Sequence, residues 1–205
     1  MNLARGIRAA PQLGAWYGSG MGKIFDAIDD ELAGFIARQH VFFVATAPLS
    51  GDGFVNVSPK GLDTFRVIGP RTVAYLDFIG SGVETIAHAR ENGRIVLLWC
   101  AFEGPPRILR IHGRAEAVEP GDEGWADIRA HFGPPRPSER AIIRVEAARI
   151  STSCGYGVPL YEYTGERTQL DDWAKRKGPE GLQAYAAQHN AASLDGLPGL
   201  RSLND

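Results

Sequence analysis

Between Val41 and Ser153 the chain is a succession of short apolar runs, rich in β-branched and aromatic residues. Most are cut off by a Gly, Pro, Asn or Asp cluster before they reach helical length. Val41 to Ala47 ends at Pro48-Leu49-Ser50-Gly51-Asp52-Gly53, and Phe54 to Ser58 returns as its partner. Phe65 to Ile68 and Thr72 to Phe78 flank Gly69-Pro70-Arg71, which predicts a second hairpin. Arg94 to Ala101 is almost continuously apolar, so cover on both faces is expected. Arg107 to Val118 sets Ile108, Arg110 and His112 against Leu109, Ile111 and Gly113, a long strand with one polar face, and Ala141 to Ser153 is the last run. About seven short strands with tight turns, and helices only between them and at the ends, predict a mainly β (α+β) chain closed as an antiparallel barrel.

The helical signals are peripheral. Asp29-Asp30-Glu31 places acids in a first turn, with Leu32, Phe35, Ile36 and Gln39 at helical spacing behind them. Ser81-x-x-Glu84 has capping-box spacing and opens a helix that Asn92-Gly93 stops. Trp125, Ile128, Arg129 and Phe132 give one short helix before Gly133-Pro134-Pro135. Beyond the strands, Leu170, Trp173 and Ala174 share one face up to Gly178, where Pro179 can begin a second helix carrying Leu182, Tyr185 and Ala186. Asp195-Gly196-Leu197-Pro198-Gly199 is a closing turn. This divides the chain into an N-terminal extension (1–20) outside the fold, a barrel domain (21–160) and a C-terminal helical arm (161–205). The extension lacks acids and carries Arg5 and Arg8, consistent with a transit peptide or with initiation at Met21.

A net charge of -2 points neither to nucleic acid nor to an acidic membrane surface, and no apolar run has the length of a membrane span. Cys100 and Cys154 show no C-x-x-C spacing, which fits a reducing cytoplasm. His40, His88, His112, His131 and His189 are scattered without metal-binding spacing, so no metal is expected. Neither G-x-S-x-G nor a P-loop occurs, and the Gly18-Ser19-Gly20-Met21-Gly22 stretch follows no strand.

Chemistry gathers at Asn56-Val57-Ser58-Pro59-Lys60-Gly61 and, one hairpin later, at Gly80-Ser81-Gly82-Val83-Glu84-Thr85. A Lys beside a Ser, framed by Pro and Gly, next to a Gly-Ser-Gly entry into a helix, suggests a phosphate site: an ammonium, hydroxyls and free N–H groups at a positive dipole end. Lys60 could equally be a solvated rim lysine. Trp99 either walls a ligand slot or is core. Ser153-Cys154-Gly155-Tyr156-Gly157 allows close backbone approach to a ligand, with Cys154 either facing that ligand or inert.

N-V-S-P-K-G-L-D, G-S-G-x-E-T, N-G-R-I-V-L-L-W-C and I-H-G-R-A-E, in that order and spacing, resemble the pyridoxamine 5'-phosphate oxidase-like family of flavin-binding split β-barrels, over roughly Phe42 to Ile150. The resemblance implies FMN, a homodimer and a flavin-dependent oxidoreductase acting on a small molecule, without naming a catalytic residue. It assigns the phosphate to Lys60, Ser58, Ser81, Gly82 and Thr85, the flavin ring to backbone around Asn56, Val57 and Ser58, and Pro59, Gly61 and Trp99 to the surrounding site. Where the founding pattern has phosphate-holding cations, this chain has Val55, Glu84 and Thr85, which leaves Arg66, His88, Arg107 or Arg110 to compensate. The Arg-Leu-x-Pro ending of a pyridoxamine phosphate oxidase proper is absent. Three other readings stand beside the enzyme: a flavin or haem binding protein without turnover, a deazaflavin-dependent reductase, and a structural dimer with an empty cleft.

Overall fold

A computed structural model describes residues 22–203; the expected N-terminal extension lies outside the described residues. The apolar runs become strands β1 (Ile24–Phe25), β2 (Phe42–Thr46), β3 (Asn56–Lys60), β4 (Phe65–Val67), β5 (Thr72–Phe78), β6 (Arg94–Cys100), β7 (Ile108–Val118) and β8 (Glu139–Ser153). They form one antiparallel sheet in the order β3-β2-β6-β7-β8-β5-β4, with β1 paired to β8. β1 carries no signal in the sequence, since two residues are too few to show a period. The strand expected at Phe54 to Ser58 starts later, so Lys60 lies within β3 rather than on a loop beyond it.

The sheet is curled. Phe42 of β2 packs against Phe65 of β4 and Tyr75 of β5, strands far from it in sheet order, and Trp99 closes the same aromatic group. Leu32, Phe35 and Ile36 of helix α1 (Asp30–Ala37) complete the core with Val44, Leu97, Leu109, Ile111, Ile143 and Ile150. Each such side chain, fully buried, contributes roughly 1.5–3 kcal/mol. Asp29 caps α1 through its carboxylate, which accepts from Leu32 N–H at 2.9 Å. β6 differs from expectation: Ile95, Leu97 and Trp99 are buried, while Val96, Leu98 and Cys100 are only partly covered, so it has one buried face.

β8 carries two bulges. One, beside Gly113, brings backbone so close that a Cβ there would lie 2.4 Å from Glu146 O. The other falls between the Asp77–Ala141 and Phe78–Glu139 pairs and leaves Arg140 without a cross-strand partner. Such an extra residue re-aims its side chain.

Helix α2 (Glu84–Glu91) crosses the sheet, and α3 (Trp125–Arg129) covers the small outer cluster of Ala74, Leu76, Phe132 and Ile142. The C-terminal α4 (Gln169–His189) is two helices joined at Gly178, whose φ of 65° and ψ of 174° leave the helical region immediately before Pro179. No helix among the described residues is long and apolar enough to cross a membrane.

Candidate functional site

The two sequence stretches meet. β3 is the sheet's edge, paired only with β2, and its alternation leaves Val57 and Pro59 exposed while Asn56, Ser58 and Lys60 face inward. The Asn56 amide donates to Thr85 Oγ1, on the first turn of α2, and to Thr46 Oγ1, each at 3.1 Å; Ser58 Oγ donates to Asn56 Oδ1 at 3.0 Å. One edge of β3 therefore keeps its backbone N–H and C=O groups outside the ladder, next to a row of polar side chains.

Lys60 is neither a solvated rim lysine nor free. Its Nζ lies 2.7 Å from Asp77 Oδ1, and Arg140, turned by its bulge, places Nε 2.8 Å from Asp77 Oδ2. Two cations share one buried carboxylate, leaving one positive charge in excess. Burial pushes the Asp77 pKa up, but Arg140 and Lys60 outweigh it and hold the carboxyl at about 2. Tyr75, beside Asp77 and Thr85, is raised well above the ordinary tyrosine value, first by burial and then by the Asp77 charge. In this group Arg140 Nη1 lacks a hydrogen-bond partner among the described residues, and the Tyr75 hydroxyl has no partner within hydrogen-bond distance although Thr85 lies close enough to lower its pKa. A small cavity of about 230 Å³ joins Lys60 and Gly61 to Ile79 and Gly80. A larger one, about 790 Å³, opens from Lys60 past Leu62 and Leu170 to Tyr163, whose ring stacks on His40 at 3.5 Å.

The entry to α2 differs from its expected form. Val83, not Ser81, is the N-cap, and no side chain caps the helix. Ser81 stays exposed, and Glu84 turns back over Gly82 and accepts from Leu194 N–H at 3.3 Å. The capping box fails because the C-terminal segment competes for its carboxylate. That segment also bonds Gly80 O through Asn190 Nδ2 at 2.9 Å and presents both Asp195 oxygens to Phe54 N–H at 3.2 Å. Behind it, His88 is fully buried, with Nδ1 2.9 Å from Thr46 Oγ1 and Nε2 3.8 Å from Asp195 Oδ2.

Other candidates lie apart from this group. Trp99 is 1% exposed, stacked with Phe42 and edge-on to Phe65, so of its two readings, ligand wall or core, the structure shows core. Arg66 binds Asp63 and the His131 carbonyl, Arg107 pairs with Glu31, and Arg110 bonds Ser153. Gly155 does bring backbone close, but to Arg107: a Cβ there would be 2.9 Å from Arg107 N, while Cys154 is exposed. The second cation of the Lys60 group is Arg140, through Asp77, and sequence reasoning singles out neither of these two residues nor Asp195. Asp77 carried a signal, since a lone acid inside an apolar strand run requires a buried partner.

The family model described as pyridoxamine 5'-phosphate oxidase matches residues 28–154. The pyridoxamine 5'-phosphate oxidase family protein ustO of Aspergillus flavus is 38% identical over 194 residues, covering 87% of this chain and 78% of that protein. Among solved structures, HupZ of Group A Streptococcus is 23% identical with a TM-score of 0.47, covering 60% of this chain and 91% of that one. The FAD binding protein from Mycobacterium smegmatis is 18% identical with a TM-score of 0.44, over 63% of this chain and 94% of that one.

Proposed function

The chain belongs to the pyridoxamine 5'-phosphate oxidase family, and from that premise we propose that it is a flavin-dependent oxidoreductase that binds FMN at the β3 and α2 rim and acts on a small molecule. The observation that carries this reading is the unsaturated cluster at Lys60, Asp77 and Arg140. It has one positive charge in excess and a buried guanidinium nitrogen without a partner among the described residues, and its Lys60 lines a cavity that runs to Gly80. A buried donor without a partner costs free energy that an anion can recover, so these residues fit a phosphomonoester.

Lys60 and Arg140 would hold the phosphate, with Ser58, Ser81, Thr85 and the backbone of Gly82 as neutral donors. The free edge at Asn56, Val57 and Ser58 would take the polar edge of the flavin ring. Pro59 and Gly61 line the cavity mouth, while Trp99 stays in the core against Phe42 and Phe65. FMN when bound supplies the hydride or electron transfer; this chain's residues bind it, orient it and exclude water. Asp195 is turned to the Phe54 N–H and Glu84 to the Leu194 N–H, but the Glu84 carboxylate still lies over Gly82 and opposes an anion placed there.

The same edge suggests a homodimer. Phe54, Val55 and Val57 are 64%, 71% and 63% exposed within four residues of one another, an apolar strip of the kind a second copy covers. The purified protein is expected to show a two-band flavin absorbance spectrum, to release a molecule with the mass of FMN on heating, and to sediment as a dimer. A colourless protein that also fails to take up added FMN overturns the assignment and turns attention to a deazaflavin or haem.

A further inference from the structure

The chain Asn56, Thr46, His88 and Asp195, buried at its two central residues, has a direction. Thr46 Oγ1 accepts a hydrogen bond from Asn56 Nδ2 and lies 2.9 Å from His88 Nδ1. With Asn56 already donating to it, the Thr46 hydroxyl is free to donate its own proton to His88 Nδ1, which requires an imidazole carrying its proton on Nε2. Nε2 lacks a hydrogen-bond partner among the described residues, and Asp195 Oδ2 is 3.8 Å away. Asp195 meanwhile holds the Phe54 N–H, immediately before β3. One histidine thus stands between the side chain that fixes Asn56 and the carboxylate that fixes the start of the same strand.

We propose that His88 is a positioning residue for Asn56, and that protonating it loosens β3 at both points and weakens ligand binding at this edge. The ligand part of this inference rests on the flavin reading above. A proton added at Nδ1 faces the Thr46 hydroxyl, which must rotate to accept it and then donates to nothing in a site only 4% exposed. The imidazolium also draws Asp195 across 3.8 Å, away from Phe54 N–H. Burial lowers the His88 pKa, opposed by the carboxylates of Asp195, Glu84 and Glu91. Of the cations on strands packed against α2, Arg94 is turned to the Pro48 carbonyl and Arg114 to the Asn92 carbonyl, so these three acids dominate the field at His88.

The test is a nitrogen-resolved NMR titration of the full chain without added flavin, from pH 7.5 to about 5. The expected result is an Nε2–H tautomer for neutral His88, a midpoint below 6.5, and Asn56 side-chain and Phe54 backbone amide signals that move with that midpoint. His88→Asn keeps an acceptor for Thr46 and should leave both signals flat; Asp195→Asn should flatten Phe54 alone. Across the same midpoint FMN affinity should fall about tenfold more in the natural chain than in His88→Asn, where only the flavin's own phosphate, with a second pKa of about 6, titrates; the difference is the equivalent of about one lost hydrogen bond. An Nδ1–H tautomer, amide signals that ignore the His88 midpoint, or the same pH dependence of FMN affinity in the natural chain and in His88→Asn overturns the inference. Absence of FMN binding at every pH counts against the flavin reading alone, because the resonances decide the histidine without it.

Discussion

Two buried carboxylates in this protein each gather two cations, and the clusters end differently. Glu119, after β7, accepts from Arg90 and from the backbone N–H groups of Arg201 and Ser202 at 3.1 and 3.2 Å. Arg201 also pairs with Asp122, and Arg90 donates to the Gly199 carbonyl. Two acids answer two arginines, and none of these side chains leaves a buried polar atom without a partner. At Asp77 the two cations face a single acid, and donors are left over. The first cluster is a clasp that holds the C-terminal segment on α2. The second is brought together by a bulge, and its Lys60 lines a cavity. Satisfaction of polar groups, rather than the presence of charge, separates a structural ion network from a candidate binding site.

The two clusters should part most sharply when the clasp is cut. Glu119→Gln removes the acid that Arg90 needs and should cost about 3 kcal/mol in urea unfolding, with FMN affinity of the folded protein unchanged. A loss under about 1 kcal/mol would mean that the clasp is not closed in solution.

Asp77→Asn should cost less at neutral pH, about 2 kcal/mol, because solvent at Lys60 relieves part of the repulsion, and it should tighten binding of FMN or inorganic phosphate by exposing a second charge. Its pH signature comes from linkage. The folded pKa of about 2 lies below the ordinary 3.8, so Asp77 stabilises the fold above about pH 4. That stability, about 2 kcal/mol, is lost as pH falls from about 4 through about 2, and Asp77→Asn should remove this part of the acid limb.

Lys60→Met should change stability by about 1 kcal/mol or less, since Arg140 still answers Asp77, while weakening FMN about tenfold in fluorescence titration. Unchanged affinity would make Lys60 purely a staple between β3 and β5. Arg201→Ala is the smallest effect, about 0.5 kcal/mol, because its guanidinium is 56% exposed and its backbone N–H, which the substitution keeps, is what holds Glu119.

Much of the fold was legible because its signals are local. The hairpin at Gly69-Pro70-Arg71, the acidic first turn of α1 and the break at Gly178 each depend on residues within one turn of one another, and each stands where the pattern put it. The site was half legible. Asn56, Ser58, Lys60 and Thr85 stand out by residue type and spacing, and Asn56 does meet Ser58 and Thr85. Trp99 is an open choice between core and ligand wall in the sequence, since alternation along β6 does not say which face of a curled sheet is lined. The Ser81 cap is misplaced there because the competitor for Glu84 lies 110 residues away, at Leu194.

By itself, then, the sequence determined a mainly β antiparallel chain with peripheral helices, the family, and the two stretches from which a site could be built, all of them read from short-range periodicity, turn chemistry and the order of motifs. Only the tertiary structure decided that Lys60 answers Asp77, that a bulge brings in Arg140 from 63 residues away, and that Asp195 reaches Phe54 and faces His88. Those contacts depend on which strands a curled sheet brings together and on a one-residue slip in β8. A charge in the sequence carries no record of its partner until the chain has closed around it.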